Sequence, residues 1–251
     1  LASPEFRSAL GFVMQNDVKK KSFYITPKIY PNRYGFNKID LSIEYGLGSN
    51  FNNIKKRDEI SISLTANLLK QTSVSFLYSK TGKKYFGEYF SNLWDYGISL
   101  SMSPLKYFSL NSSFDFGRTI NYDESSYGYM KNLSLYTSLT PFSSLNFEIV
   151  YRKYWLFRKE WEGNVYNVTL LYSKIEYLYS RIISLKLCIN YNNLSNKLVV
   201  MPLLKYQPSP FTVIFIGMNS SFLFENYKDT KIQNHNLFMK FQYRFINDRG
   251  S

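Results

Sequence analysis

A single histidine, His235, and a single cysteine, Cys188, are the side chains of this 251-residue sequence best suited to nucleophilic or metal chemistry. A hydrolase of this kind needs a histidine that moves a proton and is itself oriented by a Ser, Asp or Asn. Asn234 and Asn236 flank His235, but adjacent residues of a strand point to opposite faces. His235 therefore reads as a loop-rim or lumen histidine. Cys188 stands between Leu187 and Ile189 in an alternating run and reads as a small strand residue. One cysteine excludes an intrachain disulfide framework. A metal site needs several ligands, and one histidine with one distant cysteine does not supply them. No metal, no cofactor and no catalytic residue is expected. An enzyme acting on lipid or peptide at a barrel rim is the alternative, and it would need His235 or a carboxylate pair such as Asp115 and Glu148.

Charge is the next candidate. The chain carries 31 Lys+Arg against 18 Asp+Glu, a formal +13, which suits anionic surfaces. "DVKKKS", "NIKKRDE" and "KTGKK" are basic clusters in expected loops or rims. They read either as contacts to lipopolysaccharide phosphates and acidic lipid or as solvated loop tips. Nucleic-acid binding would interleave basic and aromatic residues along one groove; here the basic residues lie between strands and the aromatics follow strand ends. "GLGSNF" at Gly46 is a Gly-x-Gly with no helix after it, a loop entry and not a phosphate cradle.

The elements that must position these residues are strands. "KIDLSIEYGL" sets Ile39, Leu41, Ile43, Tyr45 and Leu47 against Lys38, Asp40, Ser42 and Glu44. "EISISLTANL", "WDYGISLSM" and the terminal "NHNLFMKFQYRF" repeat this period of two, the last with Phe238 as its one apolar exception. Such alternation over eight to ten residues marks strands with one apolar and one polar face. Short connections ("LLKQTS", "SPLKY", "TPFSS") take turns with longer polar ones ("GSNFNNIKKRDE", "SKTGKKYFGEYFSN", "GRTINYDESSYGYMK", "FENYKDTKIQN"). That asymmetry predicts an up-and-down barrel with tight turns at one rim and extended loops at the other. Counting "SALGFVMQ" and "KSFYITPKIY" gives about 14 strands, with 12 to 16 possible.

Two architectures accommodate the strands: a soluble barrel with apolar side chains inside, binding an apolar ligand, or a membrane barrel with the apolar face on lipid. Mean hydropathy is −0.28 and no run of 18 apolar residues exists, but a transmembrane barrel would also lack such a run. Strand length favours the membrane, since about nine to eleven residues cross a bilayer whereas strands in soluble domains average about five or six. So do the aromatics, 19% of the chain with 23 Tyr and 21 Phe. Trp94, Tyr96, Tyr151, Trp155, Tyr191, Tyr206, Tyr243 and Phe245 gather near strand ends, where an amphipathic ring suits a membrane interface. The expected fold is an all-β transmembrane antiparallel up-and-down β-barrel in the bacterial outer membrane of a Gram-negative cell. Its lumen would be lined by Lys38, Asp40, Glu44, Asp95, Asp115, Glu148, Arg152, Lys186, Lys240 and Arg244. Opposite charges facing one another there would filter solutes by charge and size, or pair and close the interior.

At "LCINYNNLSNKLVVMPLLKYQPSPFTVIFIG" the sequence resembles a family of uncharacterised outer-membrane barrels of Bacteroidota-type bacteria, which carry a carbohydrate-binding module of family nine ahead of the barrel. Asn190, Tyr191 and Asn192 match the end of one family strand, Leu204 and Tyr206 the next, and Pro210 and Thr212 the following turn. Phe211 stands where that turn usually has Gly, and "GFVMQND" at Gly11 to Asp17 has Gln15 in place of an arginine. The resemblance is strongest over 185–245 and implies a membrane barrel with no catalytic residues; the sugar-binding module is absent from this sequence. Residues 7–246 read as one barrel domain, with 1–6 and 250–251 as cloning or tail residues. The expected function is a passive, porin-like channel or the membrane anchor of a larger surface or periplasmic assembly, in contact with outer-membrane lipid, lipopolysaccharide and possible protein partners, without nucleic acid.

Overall fold

Ile39 to Leu47 alternate with polar residues because the pleat sends successive side chains to opposite faces, and the chain keeps this habit almost throughout. The computed structural model describes residues 19–31, 33, 35–224 and 230–244. Among them every element is a strand: β1 (Lys19–Ile25), β2 (Lys28–Ile29), β3 (Phe36–Ser49), β4 (Lys55–Leu68), β5 (Thr72–Tyr85), β6 (Glu88–Leu105), β7 (Phe108–Asn121), β8 (Ser126–Phe142), β9 (Leu145–Lys159), β10 (Glu162–Leu178), β11 (Ile183–Asn192), β12 (Lys197–Ser209), β13 (Thr212–Phe224) and β14 (Thr230–Tyr243). Each pairs with the next in an antiparallel up-and-down sheet whose path runs from β1 through β3 to β14, with β2 beside β3. Among the described residues the path ends at β1 and at β14. "SALGFVMQ", "GFVMQND" and Phe245 lie outside the described residues.

The expected long loops are mostly strand. β5 runs to Tyr85 and β6 starts at Glu88, so only Phe86 and Gly87 join them inside "SKTGKKYFGEYFSN". Both have positive φ, 45° and 88°, the left-handed pair of a two-residue hairpin turn. "GSNFNNIKKRDE" leaves 50–54 outside strands and "GRTINYDESSYGYMK" leaves 122–125. The reason is physical: backbone pairing needs no apolar side chain, so a ladder can continue through polar residues where the alternation disappears. The short turns fall as expected, at 69–71, 106–107 and 143–144.

The chain forms two compact units. The first holds residues 1–102, 113–132 and 154–166. Its register sorts side chains into two faces. Ile43, Ile62, Tyr78 and Tyr96 share one row, and Leu41, Leu64, Phe76 and Ile98 the next. On the other face Glu44, Ser61, Ser79 and Asp95 share a row, as do Gly48, Arg57, Lys83 and Phe90. Phe90 reaches the polar face because the ladder slips between Thr81 and Lys83, at Asn92, whose φ is 57°. A β-bulge of this kind re-aims a side chain. Phe90 then packs with Leu93 and Ile120, flanked by Tyr85 and Tyr127.

The second unit holds residues 103–112, 133–153 and 167–251. Tyr177, Leu185, Leu204, Ile216 and Met239 share an apolar row, and Glu176, Lys186, Leu203, Gly217 and Phe238 lie in a row on the opposite face.

The apolar face is not a core. Among the described residues the buried hydrophobics are Phe90, Leu93, Ile120, Leu156 and Cys188. Leu64 is 45% exposed, Ile98 52% and Phe241 61%. Among the described residues no larger set of buried apolar side chains forms an interior.

Candidate functional site: the charged polar face

In the second unit four side chains on β9, β10 and β11 form one chain of ion pairs. Lys174 Nζ lies 2.8 Å from Glu148 Oε1 and 3.6 Å from Glu176 Oε2, and Lys186 Nζ lies 3.4 Å from Glu176 Oε1. The spacing follows from the pleat: Lys174 and Glu176 are two residues apart on β10, and Glu176 is directly opposite Lys186 on β11. Asn146 donates to Glu148 Oε1 at 3.0 Å and its Oδ1 accepts from the Thr140 hydroxyl at 3.2 Å. Lys174 is half-buried, which strengthens its pairs relative to exposed ones. Beside the chain is a cleft of about 430 Å³ lined by Asn146, Glu176, Lys186, Lys205 and Phe215 among others. A second cleft, about 570 Å³, has Arg152, Tyr172, Asn190 and Lys197 in its wall.

In the first unit Lys38 Nζ pairs with Asp40 Oδ2 at 2.7 Å. Asp115 accepts from Asn132 Nδ2 at 3.2 Å. Glu44 is exposed, in one row with Asp95. Beyond the apolar rows Lys55 bonds Asp58 at 3.0 Å, the Tyr89 hydroxyl donates to Asp58, and Arg57 pairs with Glu59 at 2.8 Å. The basic clusters of "NIKKRDE" and "KTGKK" thus sit largely on strands, and Lys55 and Arg57 of the first already hold carboxylates.

Of the sequence-derived lumen residues, Lys38, Asp40, Glu44 and Asp95 share the polar face of β3–β6, while Glu148 and Lys186 join the ion chain. Lys240 lies opposite Phe215 in the row of Lys205, and Arg152 borders the larger cleft. Arg244 follows the end of β14, its backbone N–H donating to Phe211 O at 2.8 Å. Asp115 is held by Asn132 in the first unit and Glu148 by Lys174 in the second. His235 falls in register on the side of Leu237 and Met239, opposite Ser220. The count of two back from Leu237 and Met239 fixes that side. Its Nδ1 is 2.9 Å from Ser220 Oγ, and Ser220 is buried, 2% exposed. Among the described residues no group of three or more His, Cys, Asp or Glu stands as metal ligands would.

No protein-family model and no curated protein matches the chain. Among solved structures, one described as the NanC porin in a rhombohedral crystal form is 13% identical, over 75% of this chain and 94% of its own, with a TM-score of 0.32. A likeness that loose carries no argument.

Sequence reading missed Lys174 and Glu176, although "YSKIEY" carries them at the same period of two as Glu148 and Arg152. It also missed a chain of rings in the first unit. Tyr96 stacks on Phe116 at 5.5 Å and contacts Trp94 at 5.5 Å; Phe116 then meets Trp161 at 6.1 Å, and Trp161 meets Tyr129 at 5.8 Å. Lys131 Nζ caps Trp161 at 4.4 Å, a cation–π contact. Of the expected aromatics Trp94 and Tyr96 belong to this chain. Tyr191 contacts Phe224 at 6.4 Å. Tyr151 and Trp155 alternate with Glu148 and Arg152 along β9, Tyr206 shares the apolar row of Ile214 and Phe241, and Tyr243 is opposite Thr212.

Proposed function

We propose that the chain is an integral outer-membrane β-barrel acting as a passive channel, with acyl chains against its apolar face and water against its charged face. One observation carries the reading: Ile60, Leu64, Ile98 and Phe241 stand exposed on the apolar face while Lys38, Asp40, Glu148, Lys174 and Lys186 pair on the polar one. Water would not tolerate so large an apolar face, and lipid would not tolerate the charged one. In a bilayer every strand edge must be satisfied, so the sheet closes. The ring chain from Tyr96 to Trp161 then lies at a membrane interface, and the strand ends carrying Lys55, Arg57 and Lys83 rise among lipopolysaccharide phosphates. Selectivity arises from lumen width and from the ion chain on β9–β11, with no chemical step. The second reading, a closed anchor for a larger surface assembly, is favoured by the resemblance of residues 185–245 to the barrels that follow a carbohydrate-binding module.

Heat-modifiable migration in an unboiled detergent gel, with extraction by detergent only, tests the barrel. Steady conductance in a planar bilayer is the result expected of the channel. A heat-modifiable protein with no current at any voltage leaves the anchor, and a protein that migrates identically boiled and unboiled removes both.

A further inference from the structure

The larger cleft of the second unit, about 570 Å³, carries Arg152 and Lys197 in its wall together with Tyr172, Asn190 and Asn192, and no Asp or Glu lines it. Alternation sets these side chains on the face of the ion chain. Asn190 is opposite Tyr172 and Asn192 opposite Lys197, both asparagines at even spacing from Lys186 on β11. Arg152 follows Glu148 by four residues on β9, which returns it to the same face. Among the described residues neither Arg152 nor Lys197 forms an ion pair, unlike Lys174 and Lys186. Glu148 does not neutralise the cleft. Its Cα is about 13 Å along β9 from that of Arg152, beyond the screening length of about 8 Å at physiological salt, and Lys174 already meets its charge.

The wall is rich in donors for local reasons. Asn192 Oδ1 accepts from Leu194 N at 2.9 Å, which leaves its NH2 to donate. Asn193 pins the 193–196 turn to β10. Its Nδ2 donates to Asn167 O at 2.9 Å, its Oδ1 accepts from Thr169 N at 2.5 Å, and its N–H donates to Thr169 O at 3.1 Å. Lys197 is the first residue of β12 after that turn, so the same clamp holds it beside Asn192.

Resting on the reading that water meets this face, we propose that the cleft is a binding site for a small organic oxyanion, a carboxylate or a phosphate ester, moving along the polar face. The guanidinium fork of Arg152 matches either oxyanion with two parallel hydrogen bonds, and Lys197 supplies a second positive charge. Tyr172, Asn190 and Asn192 offer neutral partners to hydroxyl groups, and Val199 gives the carbon skeleton an apolar contact. The smaller cleft differs in that its Glu176 already holds Lys186. A site along a path must also release what it binds; exposed Arg152 and half-buried Lys197 permit that.

The test is a saturation-transfer NMR titration of the full chain folded in neutral detergent, with folding checked by heat-modifiable migration. Gluconate or glucose 6-phosphate should bind at least about tenfold more tightly than neutral glucose, because only the anions engage both cations. Arg152→Gln and Lys197→Gln should each weaken that binding at least about threefold and together about tenfold. Lys106→Gln removes one charge at the exposed 106–107 turn and should weaken it less than about twofold. Binding of gluconate assigns a carboxylate, of glucose 6-phosphate a phosphate ester, and of both the oxyanion they share. No binding of either anion, glucose binding as tightly, or an equal loss in Lys106→Gln overturns the site. Should the double variant not fold, the single variants decide by the same thresholds. The titration needs no current, so the two readings fail separately. A heat-modifiable chain that binds but never conducts keeps the site and defeats the channel. One that conducts and ignores both anions defeats the site and leaves the channel.

Discussion

The Phe238 ring lies over Gly217, directly opposite it across the β13–β14 ladder. A Cβ on Gly217 would sit 2.5 Å from Phe238 Cζ and 2.9 Å from Leu203 Cδ1. The one apolar residue on the polar face of β14 is thus accommodated by the absence of a side chain on its neighbour. Gly217→Val should lower stability by about 1–3 kcal/mol, the usual cost of overpacking. The measurement is the urea midpoint at which the folded gel band disappears. Phe238→Ala should recover most of that loss in the double variant, because it empties the contested space; additive losses would show that the ring is not the obstacle.

Leu64 and Ser63 are neighbours in β4 on opposite faces, Leu64 in the row of Leu41, Phe76 and Ile98 and Ser63 opposite Ser42 and Leu77. Leu64→Arg in the middle of a lipid-facing belt should cost about 2–4 kcal/mol. Ser63→Arg, aimed at a hydrated interior, should cost under about 1 kcal/mol. Folding yields into phospholipid vesicles measure the contrast, and equal losses at the two positions would contradict the proposed orientation.

How far the two faces of the sheet are legible in the sequence differs from strand to strand. β3, β4 and β14 have one apolar face and one polar face, so their sequences announce both period and side. The joined ends of β5 and β6 read as a loop because Lys83, Lys84 and Glu88 are all polar, yet they remain in the ladder. β12 is obscure for the opposite reason: "LVVMPLL" is apolar on both faces, with Met201 opposite Cys188 and Leu203 beside Gly217. The bulge that turns Phe90 to the polar face leaves only an asparagine as its sign. Ion pairs were the least legible, since they depend on register between strands and not on period within one.

Lys174 is the hub of the ion chain, within 4 Å of both Glu148 and Glu176. Lys174→Met removes one positive charge and leaves two carboxylates short of a partner. Stability should fall by about 1–2 kcal/mol, less than the about 1.5–3 of a fully buried charged hydrogen bond because Glu176 is partly exposed and keeps Lys186. In a conducting barrel the reversal potential under a salt gradient should move toward cation preference, because the interior becomes more negative. Lys174→Arg should restore both readouts in large part. A stability loss without any change in reversal potential would mean that the pairs close the interior and do not line a path.

Gly117 and Gly46 separate two kinds of strand glycine. A Cβ on Gly117 would overlap the Trp94 carbonyl oxygen and come 2.8 Å from Asp95 Cα. Backbone cannot rotate away as a side chain can, so the neighbouring strand itself would have to shift. At Gly46 the nearest atom to a Cβ is Glu59 Cβ, at 4.0 Å, an ordinary contact. Gly117→Ala should therefore cost about 2 kcal/mol or more and distort the β6–β7 contact beneath the Trp94–Tyr96–Phe116 ring chain. Gly46→Ala should be neutral or stabilising by about 0.4–1 kcal/mol, since alanine removes freedom from the unfolded chain without strain in the folded one. Urea midpoints on vesicle-folded protein give the stabilities, and near-ultraviolet circular dichroism reports the packing of Trp94. Equal midpoints for the two variants, with unchanged aromatic signal, would show that β6 and β7 are not pressed together at Gly117.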